Sequence, residues 1–372
     1  MADRDSPNIA VSRATTTGMT GGGFYNANSA TQWAAIEAVL PWLREAARNL
    51  AFDVGTGAIT FADFGCSEGA NSIAVMRDLL TETLPLTDRP FQTVHSDLPT
   101  NDFSKLFLGL RPDGRSVFGE ERIYSAAVVG SMYDQLLPPG SVSLATTFNA
   151  IGFLSKRPTD TLPGYILPNG PSAVRANGSV SEEDRAAFAR QAQDDVTAFL
   201  KARAGELVPG GSLLMQVFGC KGEARTCDGL YDLLNDAVLD HVQRGEISRQ
   251  IYEHYYQPVY FRNLNELTVP MADPASGAAE LFTLEHAESY EVPVPFVEAF
   301  HSGGSLDRYA KDYVNFFRAF TEAVLRNALP DTPDRDSLIE RIYATAEALL
   351  KDSPELYPFR YAAAATLLRE KG

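Results

Sequence analysis

Residues 59–64 run through six positions whose apolar and β-favouring character is that of a strand buried on both faces of a parallel sheet. A turn containing Gly65 and Gly69 follows, and then Ile73, Met76, Leu79 and Leu80 recur at helical spacing. Strands are likewise read at 91–96, 123–129 and 142–147 and at 212–218 after the Pro209-Gly210-Gly211 turn, while 282–288 resembles a late strand beyond the insertions and 359–368 could close the sheet. Strands alternating with helical segments predict an α/β fold with a doubly wound sheet. Two stretches interrupt the alternation: 156–178, rich in Pro, Gly and Asn, and the polar-aromatic region 226–277. Neither is flanked by a low-complexity linker, so both are read as insertions that cover the ligand edge of one unit. That places the core at about 33–150, 190–225 and 278–372, and the cap at about 151–189 and 226–277 plus a helix over 305–326. In that helix Tyr309, Tyr313, Phe316, Phe317 and Phe320 fall on helical spacing, a pattern that more often marks core than pocket.

The first strand ends in Asp63 and the second in Asp97-Leu98-Pro99. Two acids at the carboxyl ends of neighbouring strands suit a ligand with ribose hydroxyls and a positive charge, in the crevice where open α/β sheets bind. The glycines let backbone approach that ligand. The spacing D-x-G-x-x-x-G is neither the G-x-G-x-x-G of a dinucleotide fold nor a P-loop with its Lys-Ser or Lys-Thr pair. A nicotinamide oxidoreductase is disfavoured on that ground. What remains is a nucleoside cofactor without a pyrophosphate, of which S-adenosylmethionine is the common case.

Composition narrows the partners. A net charge of −16 over 372 residues disfavours nucleic acid, since little is available to neutralise phosphates. No apolar run reaches membrane-spanning length, and residues 1–23 lack the apolar centre of a signal peptide, so a cytoplasmic protein with no membrane partner is expected. Cys66, Cys220 and Cys227 are too few and scattered for a disulfide framework, and five dispersed histidines show no ligand spacing, so no metal is expected. His95, inside the second strand, reads as a satisfied interior histidine.

Six blocks in order then resemble one family: MTGGGFYNANSATQ at 19–32, FADFGCSEGAN at 61–71, SDLPTNDFSKLF at 96–107, GSMYDQLLPPGSV at 130–142, FLSKRP at 153–158 and DDVTAFLKARAGELVPGGSLL at 194–214. The chain resembles the SABATH family of S-adenosylmethionine-dependent carboxyl methyltransferases. The resemblance implies a Rossmann-like class I methyltransferase sheet with a mainly α-helical cap, residues 1–32 folding over the site, and commonly a homodimer. It implies cofactor contacts for Tyr25, Ser29, Asp63, Gly65, Asn71, Asp97, Leu98, Ser131 and Met132, with Met132 replacing an aromatic. It also places Gln32 where a side-chain amide hydrogen-bonds the substrate carboxylate. Loose alignment puts Tyr231, Tyr260, Phe317 and Phe320 around the substrate, with Phe359 or Tyr361 closing the cavity.

The departures from the family pattern are specific. Phe153 stands where plant members carry a Trp whose N–H is a second donor to the carboxylate, and a phenyl ring cannot donate. If 149–155 were helical, Asn149 would lie one turn away on the same face and could supply that donor. A basic residue that contacts substrate in some relatives has no counterpart among Thr15, Thr16 and Thr17, and Glu68 stands where a small residue is usual. The implied reaction is methylation of a small, aromatic acid at its carboxylate oxygen. A nitrogen acceptor of xanthine type and an inactive cofactor-binding module are the alternatives.

Overall fold

The computed structural model describes residue 19 and residues 21–27, 30–111 and 116–372, with backbone alone at 25 and 27. All seven expected strands form one sheet: β1 (Ile59–Phe64), β2 (Phe91–Asp97), β3 (Ile123–Val129), β4 (Val142–Phe148), β5 (Leu207–Phe218), β6 (Phe282–Val292) and β7 (Tyr361–Glu370). Their order is β3-β2-β1-β4-β5-β7-β6. The first five are parallel, and β7 is antiparallel to both β5 and β6. The strand order reverses between β1 and β4, so the crevice at their carboxyl ends is the topological switch point of the sheet.

Strand side chains alternate between two apolar clusters, one on each face. Phe61, Phe91, Leu144, Leu214 and Leu367 meet α1 (Ala30–Glu37), α2 (Leu40–Arg48) and α3 (Ala70–Thr83). Ala62, Phe64, Ala145, Leu213, Met215 and Leu368 meet Val196, Phe199 and Leu200 of α4 (Glu182–Glu206) on the other face. Burial on both faces explains why β1 and β4 read as continuous apolar runs and not as alternation.

A third apolar cluster covers the carboxyl ends. It joins the loops around Leu162 and Tyr256 to α5 (Leu230–Gln243), α6 (Leu306–Ala328) and α7 (Arg335–Asp352). The α/β class, the sheet and the helical cover are thus as the sequence predicts. Among the described residues no helix is long and apolar enough to cross a membrane.

Candidate active site

The β1–α3 loop is shaped by two glycines. Gly65 has φ +93° and a Cβ there would sit 2.1 Å from the Ala150 Cβ; Gly69 has φ +95° and a Cβ would sit 2.6 Å from Leu106 Cδ1. Both positions demand glycine on conformation and on space. Ser67, at φ +51°, is a strained exception. It is held by the next block of the sequence: the Ser67 amide donates to Asp97 Oδ2 at 2.6 Å, and Asn101 Nδ2 donates to the Ser67 carbonyl at 2.8 Å. The Leu98 amide donates to Asp97 Oδ1 at 2.7 Å, and Asp102 caps the helix Phe103–Gly109 through Ser104. The acidic block after β2 therefore builds the loop as well as facing it.

Asp63 lies one layer below. It does not line the cavity; its carboxylate accepts from Thr146 Oγ1 at 2.7 Å and from Ser72. Burial pushes its pKa up to about 6 against the pull of those two hydroxyls. Ser72 Oγ also lies 2.7 Å from His95 Nδ1, and His95 Nε2 lies 3.3 Å from Thr93 Oγ1. With the Ser72 hydroxyl given to Asp63, the chain assigns the Nδ1–H tautomer to His95, whose burial lowers its pKa to about 4. His95 is an interior histidine with both nitrogens engaged.

Above this layer opens a cavity of about 270 Å³. One end is polar: Gly65, Ser67, Ser96, Asp97, Leu98, Gly130, Ser131 and Met132 line it. Ser67 Oγ and Ser96 Oγ are buried there with no hydrogen-bond partner among the described residues. Burial raises the pKa of Asp97, opposed by its two amide contacts, and each of its oxygens keeps a lone pair for a further donor. Orphaned hydroxyls beside such a carboxylate are the donor and acceptor set that vicinal sugar hydroxyls require. Arg203 of α4 fixes the wall of this end, donating to the carbonyls of Met132 (2.6 Å) and Asp134 (2.9 Å). Its ion-pair partner Glu206, at 2.7 Å, accepts from the amides of Leu136 and Leu137.

The other end is aromatic, lined by Phe153, Phe218, Phe261, Phe316, Phe320 and Tyr361 together with Leu230. Gln32 and Asn149 line the same cavity. Gln32, on α1, is 5% exposed and its Oε1 has no partner among the described residues. Asn149 is in the left-handed region at φ +62° and precedes a short 3-10 turn, Ala150–Gly152, with Phe153 extended. The helical face expected over 149–155 is therefore absent, because the chain kinks at Asn149 as it leaves β4. The Asn149 amide is nonetheless oriented. Its Oδ1 accepts from the Phe218 backbone N–H at 2.9 Å, the Tyr361 hydroxyl at 3.2 Å and Gln216 Nε2 at 3.4 Å. A backbone N–H can only donate, so this end must be oxygen, and the Nδ2 hydrogens are left as the donor end of a side chain that lines the cavity.

Of the residues read from the sequence, Gln32, Gly65, Asp97, Leu98, Ser131, Met132, Asn149, Phe153, Phe320 and Tyr361 line this cavity. Asn71, half-buried in the first turn of α3, does not. Tyr231, Tyr260 and Phe317 also stand behind the wall: Tyr231 packs on Phe261 at 5.7 Å, Tyr260 donates to Glu266, and Phe317 meets Tyr313 and Tyr343. Phe359 packs into the Phe296 cluster while Tyr361 takes the lining position. The Tyr25 side chain and Ser29 lie outside the described residues. Sequence reasoning missed Ser67, Ser96, Phe218, Phe261 and Phe316. Ser67 lies in the glycine loop, Ser96 opens the block at 96–107 and Phe316 belongs to the aromatic stripe of 305–326, whereas nothing in the sequence singled out Phe218 or Phe261.

Comparison with known proteins agrees with this geometry. The family model described as SAM-dependent carboxyl methyltransferase matches residues 14–366. A probable S-adenosylmethionine-dependent methyltransferase of Arabidopsis thaliana is 29% identical over 297 residues, 74% of this chain and 78% of that protein. Gibberellic acid methyltransferase 1 of the same plant is 27% identical over 343 residues, 84% and 86% of the two chains. The solved structure of a loganic acid methyltransferase with S-adenosylhomocysteine superposes with a TM-score of 0.75 at 22% identity, covering 95% of this chain and 99% of that one. The glycine loop, the Asp97 block and the helical cover thus have one common explanation: this chain belongs to the S-adenosylmethionine-dependent carboxyl methyltransferase family, the SABATH enzymes.

Proposed function

We propose that the chain esterifies a small aromatic carboxylic acid, with Gln32 and Asn149 as the two donors that steer its carboxylate. The observation that carries this reading is the fixed Asn149 amide, which offers a donor where Phe153 cannot. At the polar end Asp97 suits the ribose hydroxyls, Leu98, Ser131 and Met132 the adenine, and Gly65 and Ser67 the close approach of backbone. S-adenosylmethionine supplies an electrophilic methyl group on a sulfonium.

The chain's own task is alignment. A carboxylate is ionised at pH 7, its ordinary pKa being near 4, so no side chain need remove a proton. Orienting the oxygen in line at about 3 Å can account for roughly 7–11 kcal/mol of barrier. The rings of Phe153, Phe218, Phe261 and Phe316 exclude water from a step in which opposite charges are lost. Those rings also leave an acceptor body flat and apolar as the best match. Incubation with isotopically labelled S-adenosylmethionine and a panel of aromatic, aliphatic and terpenoid acids and xanthines, read by mass spectrometry, tests the reading. Methyl esters of aromatic acids should form fastest; N-methylated heterocycles without any ester would overturn it.

A further inference from the structure

Glu68, the acid in the glycine loop between β1 and α3, is 1% exposed. Its Oε1 accepts from the Gly23 amide at 2.6 Å and its Oε2 from the Asn26 amide at 3.1 Å. The contact is reciprocal, since Asn26 Oδ1 accepts from the Ala70 amide at 3.4 Å. That amide is one of the donors left without an intrahelical partner at the start of α3, where Gly69 provides no side-chain cap. Three hydrogen bonds therefore join the turn at 21–27 to the loop at 68–70, across more than forty residues of chain.

Both sides of this joint lead into the cavity. Immediately before Glu68, Ser67 lines the polar end and holds Asp97 through its amide. On the other side, Met19 precedes the turn and Gln32 follows it on α1, and both line the cavity. The turn is seated further by Gly21 against Asp102 and Gly23 against the Lys105 stem, where added Cβ atoms would lie 3.3 and 3.6 Å from them.

We propose that Glu68 is a positioning residue that latches the 21–27 turn onto the cofactor loop, so that cofactor affinity depends on a carboxylate that does not line the cavity. The latch acts on cofactor affinity through Ser67 and Asp97 on one side and through Met19 on the other. A small side chain at position 68 could not reach the two amides. The inference rests on the cofactor site and is independent of which acid is esterified.

The test uses the full chain with Glu68→Ala and the near-isosteric Glu68→Gln. S-adenosylhomocysteine affinity is read by calorimetry, and amide exchange across 21–27 by mass spectrometry. Glu68→Ala should weaken binding at least tenfold and expose the 21–27 amides while Tm stays within a few degrees. Glu68→Gln, which keeps one acceptor oxygen, should fall between the two. A merely structural role would lower Tm without moving the affinity of the folded fraction, and that result would overturn the proposal. If Glu68→Ala does not fold, Glu68→Gln decides: affinity and exchange equal to the parent's would overturn it as well.

Discussion

Asn149→Asp is the substitution that most directly separates the chemistry of the site from its architecture. It keeps an oxygen to accept from Phe218 N–H, Gln216 and Tyr361, and Asp tolerates the left-handed φ of +62°. What changes is the end facing the cavity, from an amide donor to a carboxylate acceptor. Losing a hydrogen bond to a charged acceptor costs about 1.5–3 kcal/mol. Two like charges at about 4 Å with an effective dielectric near 20 add roughly 4 kcal/mol. The introduced carboxyl relieves part of this by remaining protonated, so kcat/KM for the preferred acid should fall at least about a hundredfold, or 2.7 kcal/mol. The assay is initial-rate ester formation beside a melting curve and S-adenosylhomocysteine binding, both of which should stay near the parent's values. Asn149→Ala serves as a contrast, because it strands the Phe218 amide and strains the kink, and so should lower Tm too. If Asn149→Asp esterified the same acid within threefold of the parent, Asn149 would not face the reacting oxygen and the reasoning from its clamp would fail.

Three further outcomes are expected. Gln32→Ala should lower kcat/KM at least tenfold, about 1.4 kcal/mol, with S-adenosylhomocysteine affinity unchanged; full ester-forming activity would remove Gln32 from the site. Arg203→Met leaves Glu206 buried without its cation and frees the carbonyls of Met132 and Asp134, so urea unfolding should show a loss of about 3–5 kcal/mol and calorimetry a weaker cofactor complex; a loss under about 1 kcal/mol would contradict the role given to the pair. His95 is held neutral, with a folded pKa of about 4 below the unfolded 6.5, so its contribution is complete above pH 6.5 and is lost as pH falls toward 4. The stability difference between the parent and His95→Gln should therefore move against the parent by about 2 kcal/mol between pH 7 and pH 5; a difference independent of pH would mean that the histidine is not sealed. Asp63, raised to about 6, has the opposite sign: it favours the fold at low pH and loses that contribution as pH rises through 6, which is why the comparison is made between variants and not on the parent alone.

Every strand of the main sheet was legible, most of them as runs of β-favouring residues closed by turn residues, although β6 (FTLEHAESYEV) is largely polar and exposed. The exceptions are at the ends: β5 begins at Leu207, and β7 begins at Tyr361 because Phe359 is drawn into the ring cluster around Phe296 and Tyr313. In the site, loop and strand-end residues were readable because glycine and acid carry positional meaning there. The aromatic wall was not. On α6 the five rings at helical spacing announce a buried helix, but Phe316 and Phe320, one turn apart, face the cavity while Phe317, about 100° around, meets Tyr313 and Tyr343. Which side of a helix buried on most faces looks into a cavity is decided by its neighbours, and Phe218 and Phe261 come from segments 43 residues apart. The kink at Asn149 was equally hidden, since its left-handed backbone answers to Phe218 and Tyr361 across the sheet.

β7 lies between β5 and β6 although β6 precedes it by some seventy residues. As the polypeptide leaves the ribosome, β6 is made with no partner beside it, and its hydrogen-bonding edge stays open until Tyr361–Glu370 emerges and slots in. Until then the nascent chain presents a strand edge able to pair with another molecule, the interval in which a chaperone would matter. The same late insertion delivers the hydroxyl of Tyr361 to Asn149, so the acceptor pocket is completed in the very step that seals the sheet.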